Sequence, residues 1–350
     1  MTLSPAGRAT GPLLVLAALA LMAHAWVLAP AVAQTPVPIR VLLDWRFDGS
    51  AAPFLVAEDK GYFRAEGLDV TIEPGGGSRE TVAKLAAGAY QLGVGDVNTL
   101  IRYRDENPGT DLTAVLMMQD APPFAIIGRK SRGVTADPNS LVGKVLGASS
   151  ADGAAAQWPV FKALTRIEPR GARIEIVGQA VREPMLASGE LDGVFGSAVS
   201  TLVTLKSRGV PADDLIVLAM SDYGLELYGD ALIANNGFAA QHPAAVQGFI
   251  RALVRGMQDA ATDPEAAVQA VLRRNEQARR EVELDRLRLG LARNVFTPWV
   301  KEQGWGGIDP ARFARAIDQI ALAFTFKSKP KPQDIFTEVF LPPPADRQID

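Results

Sequence analysis

A run of strand-forming residues that stops abruptly at an acid and an indole constrains this chain more than any other stretch. Val41-Leu42-Leu43 is followed by Asp44-Trp45, and residues 53–60 then carry the apolar periodicity of a short helix that ends at Gly61. Residues 68–73 alternate apolar and polar side chains as a second strand. A strand, a helix and a strand in that order read as a parallel pair, because parallel strands need a crossover connection. Ligands of open α/β sheets sit at the carboxyl ends of such strands, so Asp44 and Trp45 are delivered to a candidate binding edge.

The same grammar continues along the chain. Pro74-Gly75-Gly76-Gly77-Ser78 leads into a helix over 79–87, with Ser78 read as its N-cap. The unpaired N–H groups of that helix start make Gly77 and Ser78 candidate ligand contacts; a tight strand-to-helix turn explains the glycines equally well. After a brief strand over 91–94, Asp96 and Asn98 open the next helix, Asp96 as a ligand contact or simply as its cap. Strands over 112–118 and 124–127 are separated by Pro122-Pro123, and beyond Gly128 the pattern starts afresh. Strand 141–148 ends at Ser149-Ser150-Ala151-Asp152-Gly153, ahead of a helix over 154–165. Ser149, Ser150 and Asp152 therefore mirror Ser78, and two such helix starts facing each other would clamp a small ligand. Phe195 and Ser197 close a later strand in the same way. From Phe238 onward the periodicity is helical only, a cover without a sheet of its own.

Composition removes several function classes. Residues 13–28 are apolar apart from His24, only Arg8 is charged before them, and Ala31-Val32-Ala33 offers the small-x-small pattern of a cleavage site. Residues 1–33 are thus expected to be a signal peptide, against the alternative of a retained membrane anchor, and the periplasm is the expected location. With no cysteine there is neither a disulfide framework nor a lipid-modifiable thiol. The 36 basic and 39 acidic side chains give a net charge of −3 and are interspersed, so nucleic acid is not an expected partner. His242 is the only histidine outside residues 1–33, which leaves no material for a His-based triad or a multi-His metal site. No catalytic residue, metal or cofactor is assigned, although carboxylate chemistry at Asp44, Asp96 or Asp152 stays open.

Leu43-Asp44-Trp45, the stretch Ala57 to Val70 with its Lys60-Gly61-Tyr62-Phe63 core, Leu85-Ala86-Ala87-Gly88, Leu141-Val142-Gly143-Lys144 and Gly189-Glu190-Leu191-Asp192-Gly193 together resemble the periplasmic solute-binding proteins of the nitrate/sulfonate/taurine and thiamine-pyrimidine-precursor branch of ABC importers. The resemblance spans roughly residues 38 to 342.

It implies an α/β, two-lobed type II periplasmic-binding-protein fold with a hinge of two crossover strands and a helical C-terminal cover. The first lobe would take 34–128 and 225–330, the second 129–224, and 331–350 would form a strap ending in a frayed tail. An ABC permease is the implied partner of a monomer. Trp45 would stack on a small aromatic or heteroaromatic, pyrimidine-like ligand with Tyr228 opposite, unless Trp45 is a hinge or core indole. Arg46 would reach an anionic group or merely decorate the rim. An alkylsulfonate, taurine-type or carboxylate ligand is the alternative. Pyrimidine-synthesising relatives of this fold carry a histidine where Ala51 stands here, and a cysteine-rich motif absent from this chain. An enzyme is therefore not expected.

Overall fold

Ten strands divide between two five-stranded sheets among the described residues. The computed structural model describes residues 1–3, 35–150, 152–167 and 171–349, so the expected signal peptide lies almost wholly outside them. The strands are β1 (Val37–Leu42), β2 (Leu68–Glu73), β3 (Leu92–Asp96), β4 (Leu112–Met117), β5 (Phe124–Arg129), β6 (Val145–Ala148), β7 (Arg173–Ile176), β8 (Gly193–Ser197), β9 (Leu215–Ala219) and β10 (Asp230–Asn235). The first sheet has the order β2-β1-β3-β10-β4 and the second β7-β6-β8-β5-β9. In each, β-α-β units give parallel pairs, and one strand arriving from the other lobe inserts antiparallel: β10 between β3 and β4, β5 between β8 and β9. This is the two-lobed α/β arrangement read from the sequence.

The boundary at residue 128 needs correction. Phe124–Arg129 pairs with β8 and β9 in the second sheet, so the first crossover is the segment 118–123, ahead of the strand rather than after it. The prolines at 122 and 123 hold that segment extended, whereas sequence alone placed the break at the glycine.

The two crossovers run side by side. The Gly229 N–H donates to the Gln119 carbonyl at 3.0 Å, and the Gln119 N–H donates to the Asp230 carbonyl at 3.1 Å. A Cβ at Gly229 would stand 2.8 Å from Gln119 Cβ and 3.0 Å from Pro123 Cδ, so glycine is what lets the two crossovers approach this closely.

Six helices matter below: α1 (Ala52–Asp59), α2 (Ser78–Ala86), α3 (Val97–Glu106), α4 (Ala198–Ser207), α5 (Pro243–Thr262) and α6 (Arg280–Gly290). The long α5 buries one face against α1 and the short helix Tyr62–Ala65 after it, with Phe249 6.5 Å from Phe54 and stacked on Phe63 at 4.8 Å between centroids. It belongs to the cover that follows β10, and with α6 it walls the first sheet. The tail is not frayed as far as Ile349. Thr337 donates to the Ala114 carbonyl at 3.0 Å, and Arg347 is buried, donating to the Gly304 and Trp305 carbonyls at 3.0 Å each. These bonds supply partners that the prolines of the tail do not.

Candidate functional site

Where β1 ends, the chain turns instead of continuing, and several bonds fix the turn. Leu43 still donates to Glu73 of β2 at 2.9 Å, while Gly75 donates to the Trp45 carbonyl at 3.2 Å. A side chain at Gly75 would stand 2.0 Å from the Leu43 carbonyl oxygen. The glycine-rich loop thus exists to pack against the Asp44-Trp45 segment. Further on, Asn275 donates to the Phe47 carbonyl at 2.7 Å, and the Gly49 N–H donates to Glu283 at 2.8 Å. Asp48 accepts from the Ser50 N–H at 2.9 Å and from its hydroxyl at 2.6 Å. The loop is rigidly seated on α6.

Above it lies a cleft open to solvent. Asp44, Trp45 and Arg46 form one wall and Phe54 of α1 lies beside them. Met118, Gln119 and Asp230 enter from the two crossovers, and Met257 of α5 with Arg286, Leu287 and Leu291 closes the far side. An apolar lining with a few convergent polar groups is what small-molecule sites require.

The polar lining comprises two acids, Asp44 and Asp230, two arginines, Arg46 and Arg286, and Ser50 and Gln119. Among the described residues Asp44 meets no hydrogen-bond donor from another residue, and burial, then the neighbouring Asp48 and Asp96 carboxylates, push its carboxyl up to about 7. Asp230 is raised well above the ordinary range by burial and by Asp44 and Asp96. Asp96 pairs in register with Asp230 across β3 and β10, and burial raises it too, against the pull of Arg102 and its own hydrogen bonds. Desolvation and like charge act together here, each disfavouring the ionised form. Arg286 is taken up by Glu283 and Asp48, and Arg46 is exposed with its guanidinium 6.0 Å from the Trp45 ring centre. Among the described residues no group of three or more His, Cys, Asp or Glu side chains is arranged to hold a metal. What the cleft offers is two carboxyl groups beside an indole face, with the exposed Arg46 guanidinium at its rim.

Of the residues singled out in the sequence, Asp44, Trp45 and Arg46 line this cleft, and the others do not. Tyr228 is fully buried: its hydroxyl accepts from the Asp309 N–H at 3.0 Å, Phe313 packs edge-on at 5.5 Å, and burial pushes its phenol up to about 12. It is a core residue, so the sandwich with Trp45 is not formed. Tyr228→Phe is expected to lower stability by about 1 kcal/mol, through the stranded Asp309 N–H, and to leave ligand affinity unchanged in calorimetry.

Gly77, not Ser78, is the N-cap of α2, and the Ser78 hydroxyl accepts from the Asp96 N–H at 3.0 Å. Asp96 caps α3, accepting from Asn98 and Thr99, and Asn98 donates to Asp96 at 2.6 Å and to the Tyr228 carbonyl at 2.8 Å. In the second lobe, Asp152 caps the short helix Gly153–Ala156 and pairs with Arg182. Ser197 caps α4, and Phe195 packs edge-on against Trp158 at 5.6 Å in the core. Ser149 and Ser150 lie on a turn outside the cleft. The expected clamp of two helix starts is therefore not built at this site, because each start is satisfied within its own lobe. Missed in the sequence were Asp230, Met257 and Arg286. Asp230 alone left a signal, an acid heading an apolar strand directly after a glycine.

Two α/β lobes, each completed by a strand from the other and joined by paired crossovers beside a cleft, define the periplasmic-binding-protein fold. The periplasmic aliphatic sulphonate binding protein of Escherichia coli superposes with a TM-score of 0.65 at 12% identity, covering 82% of this chain and 86% of that one. The chain belongs to the NMT1/THI5-like family, matched over residues 49–267.

Its relatives include a 4-amino-5-hydroxymethyl-2-methylpyrimidine phosphate synthase from Aspergillus parasiticus, 26% identical over 240 residues, or 65% of this chain and 68% of that protein. A formylaminopyrimidine-binding protein from Halalkalibacterium halodurans is 25% identical over 247 residues, 69% of this chain and 71% of that one. The first of these overturns the expectation that no enzyme would be found here. Proteins named as synthases, from Saccharomyces cerevisiae as well, align over much of the chain despite its lack of cysteine and its alanine at position 51.

Proposed function

We propose that this chain is the periplasmic solute-binding component of an ABC importer, a monomer that captures a small heteroaromatic ligand carrying amino or amidine-type N–H groups and presents it to a permease. The observation that carries the ligand class is the pair of unbonded carboxyl groups, Asp44 and Asp230, beside the Trp45 face in one cleft. A protonated and an ionised carboxyl side by side can donate to a ring nitrogen and accept from an exocyclic amine. A cation or strong N–H donor would relieve the like-charge repulsion, whereas a sulfonate or carboxylate would add to it. Export rests on the signal-like residues 1–33, and the solute-binding role on the fold shared with the sulphonate binding protein.

Calorimetry with 4-amino-5-hydroxymethyl-2-methylpyrimidine, the same ring lacking the 4-amino group, and taurine tests the assignment. The aminopyrimidine is expected to bind at least tenfold more tightly than the other two. Taurine binding with no response to either pyrimidine would refute it.

The relatives named as synthases support a second reading, in which the same cleft makes the pyrimidine it holds. Mass spectrometry of the purified chain, supplied with a small-molecule extract, distinguishes the two: new 4-amino-5-hydroxymethyl-2-methylpyrimidine phosphate favours the second.

A further inference from the structure

The cleft is walled by the first lobe and the crossovers, yet one of its residues is bonded to the second lobe. Arg286, on α6, lines the cleft and its side chain is only 3% exposed. Within its own lobe it pairs with Glu283 and stands 3.6 Å from Asp48. Its remaining amino group donates to the Thr204 hydroxyl of α4, in the second lobe, at 3.3 Å. The second-lobe Glu183 adds to the favourable field around it.

Glu183 accepts from Arg182 at 2.7 Å, and Arg182 also pairs with Asp152, the cap of the helix Gly153–Ala156. Two arginines thus serve four acids in separate sets, Arg286 with Asp48 and Glu283 in the first lobe and Arg182 with Asp152 and Glu183 in the second. Arg182 is committed to the second lobe. Without Arg286, Asp48 and Glu283 would be left buried without a cation of their own, next to a second lobe that already carries Glu183.

We propose that Arg286 is a positioning residue that latches the second lobe over the ligand cleft, holding the lobes together by its bond to Thr204 and by screening Asp48 and Glu283 from Glu183. A group that both lines the cleft and bridges the lobes makes closure and the shape of the binding wall a single event. The proposal concerns the seam alone and is independent of which ligand the cleft takes.

Because the chain has no cysteine, labels can be placed cleanly. Spin labels on Ala83→Cys in the first lobe and Ala212→Cys in the second, both exposed, report the distance between lobes in the ligand-free protein by double electron–electron resonance. The parent is expected to show a dominant short distance. Arg286→Gln should at least double the long-distance population, and Thr204→Val, which leaves every ion pair in place, should move it in the same direction by less. Adding Glu183→Gln to Arg286→Gln should restore part of the short-distance population, a rescue that a merely structural role for Arg286 would not give.

A parent already dominated by the long distance, an unchanged distribution in Thr204→Val, or a shift in Arg286→Gln that Glu183→Gln leaves untouched would each overturn the latch. If Arg286→Gln does not fold, Thr204→Val alone decides.

Discussion

Asp44→Asn is expected to raise the melting temperature at pH 8 by several degrees and to leave it unchanged at pH 4. In the folded chain the Asp44 carboxyl is pushed up to about 7, mainly by burial, whereas in the unfolded chain it titrates near 3.9. As pH rises between those values the unfolded chain releases its proton first. The folded state therefore loses stability progressively over roughly pH 4 to 7, and above that the penalty is constant. Each unit of displacement corresponds to about 1.4 kcal/mol, so removing the ionisable group yields a gain of a few kcal/mol on the alkaline side and none on the acid side. Differential scanning calorimetry from pH 4 to 9 should show a falling curve for the wild type and a flatter one for the variant. Parallel curves would mean that Asp44 is not perturbed. The same variant should bind the aminopyrimidine more weakly at every pH, because stability and recognition are opposed in this group, as they commonly are at binding sites.

Trp45→Ala should weaken binding of the same aminopyrimidine by at least about tenfold, since a lost face contact of roughly 0.5–1.5 kcal/mol comes on top of the apolar area no longer buried. The fold should survive: the indole is half-buried at a cleft wall, and the backbone around it is held by Gly75, Phe47 and Gly49 through bonds that involve no part of the ring. Titration calorimetry and a thermal melt on the one variant separate the outcomes. Unchanged affinity with a lowered melting temperature would return Trp45 to a packing role.

How far the sequence reached follows from what local patterns can encode. Alternation and helical spacing are local, so the strand ending at Asp44-Trp45, the restart in the second half and the helical cover were all legible. Tyr228 was misplaced because the crossover that carries it can present a side chain to the cleft or to the core, and the choice depends on Phe313 and Asp309, some eighty residues further on. The glycines at 75–77 suggested a ligand-holding loop. For Gly75 the real constraint is the Leu43 carbonyl, which comes against it only once the parallel pair has formed, and for Gly77 it is a left-handed backbone angle. Asp230 and Arg286 went unread for a related reason. One acquires its meaning from register with Asp96, the other from α6 lying between two lobes, and neither relation is visible at short range.

The insertion of β10 between β3 and β4 has a consequence for how the chain is made. As the chain emerges N-terminus first, β1 to β4 appear long before Asp230–Asn235, and until then β3 and β4 have no strand between them to bond. The second sheet, whose strands are contiguous from β5 to β9, can close first. The first lobe is thus assembled around a finished second one, with the open strand edges of β3 and β4 exposed to misassociation in the interval. A nascent chain halted before residue 230 would carry one folded lobe and one unfinished sheet in need of a chaperone.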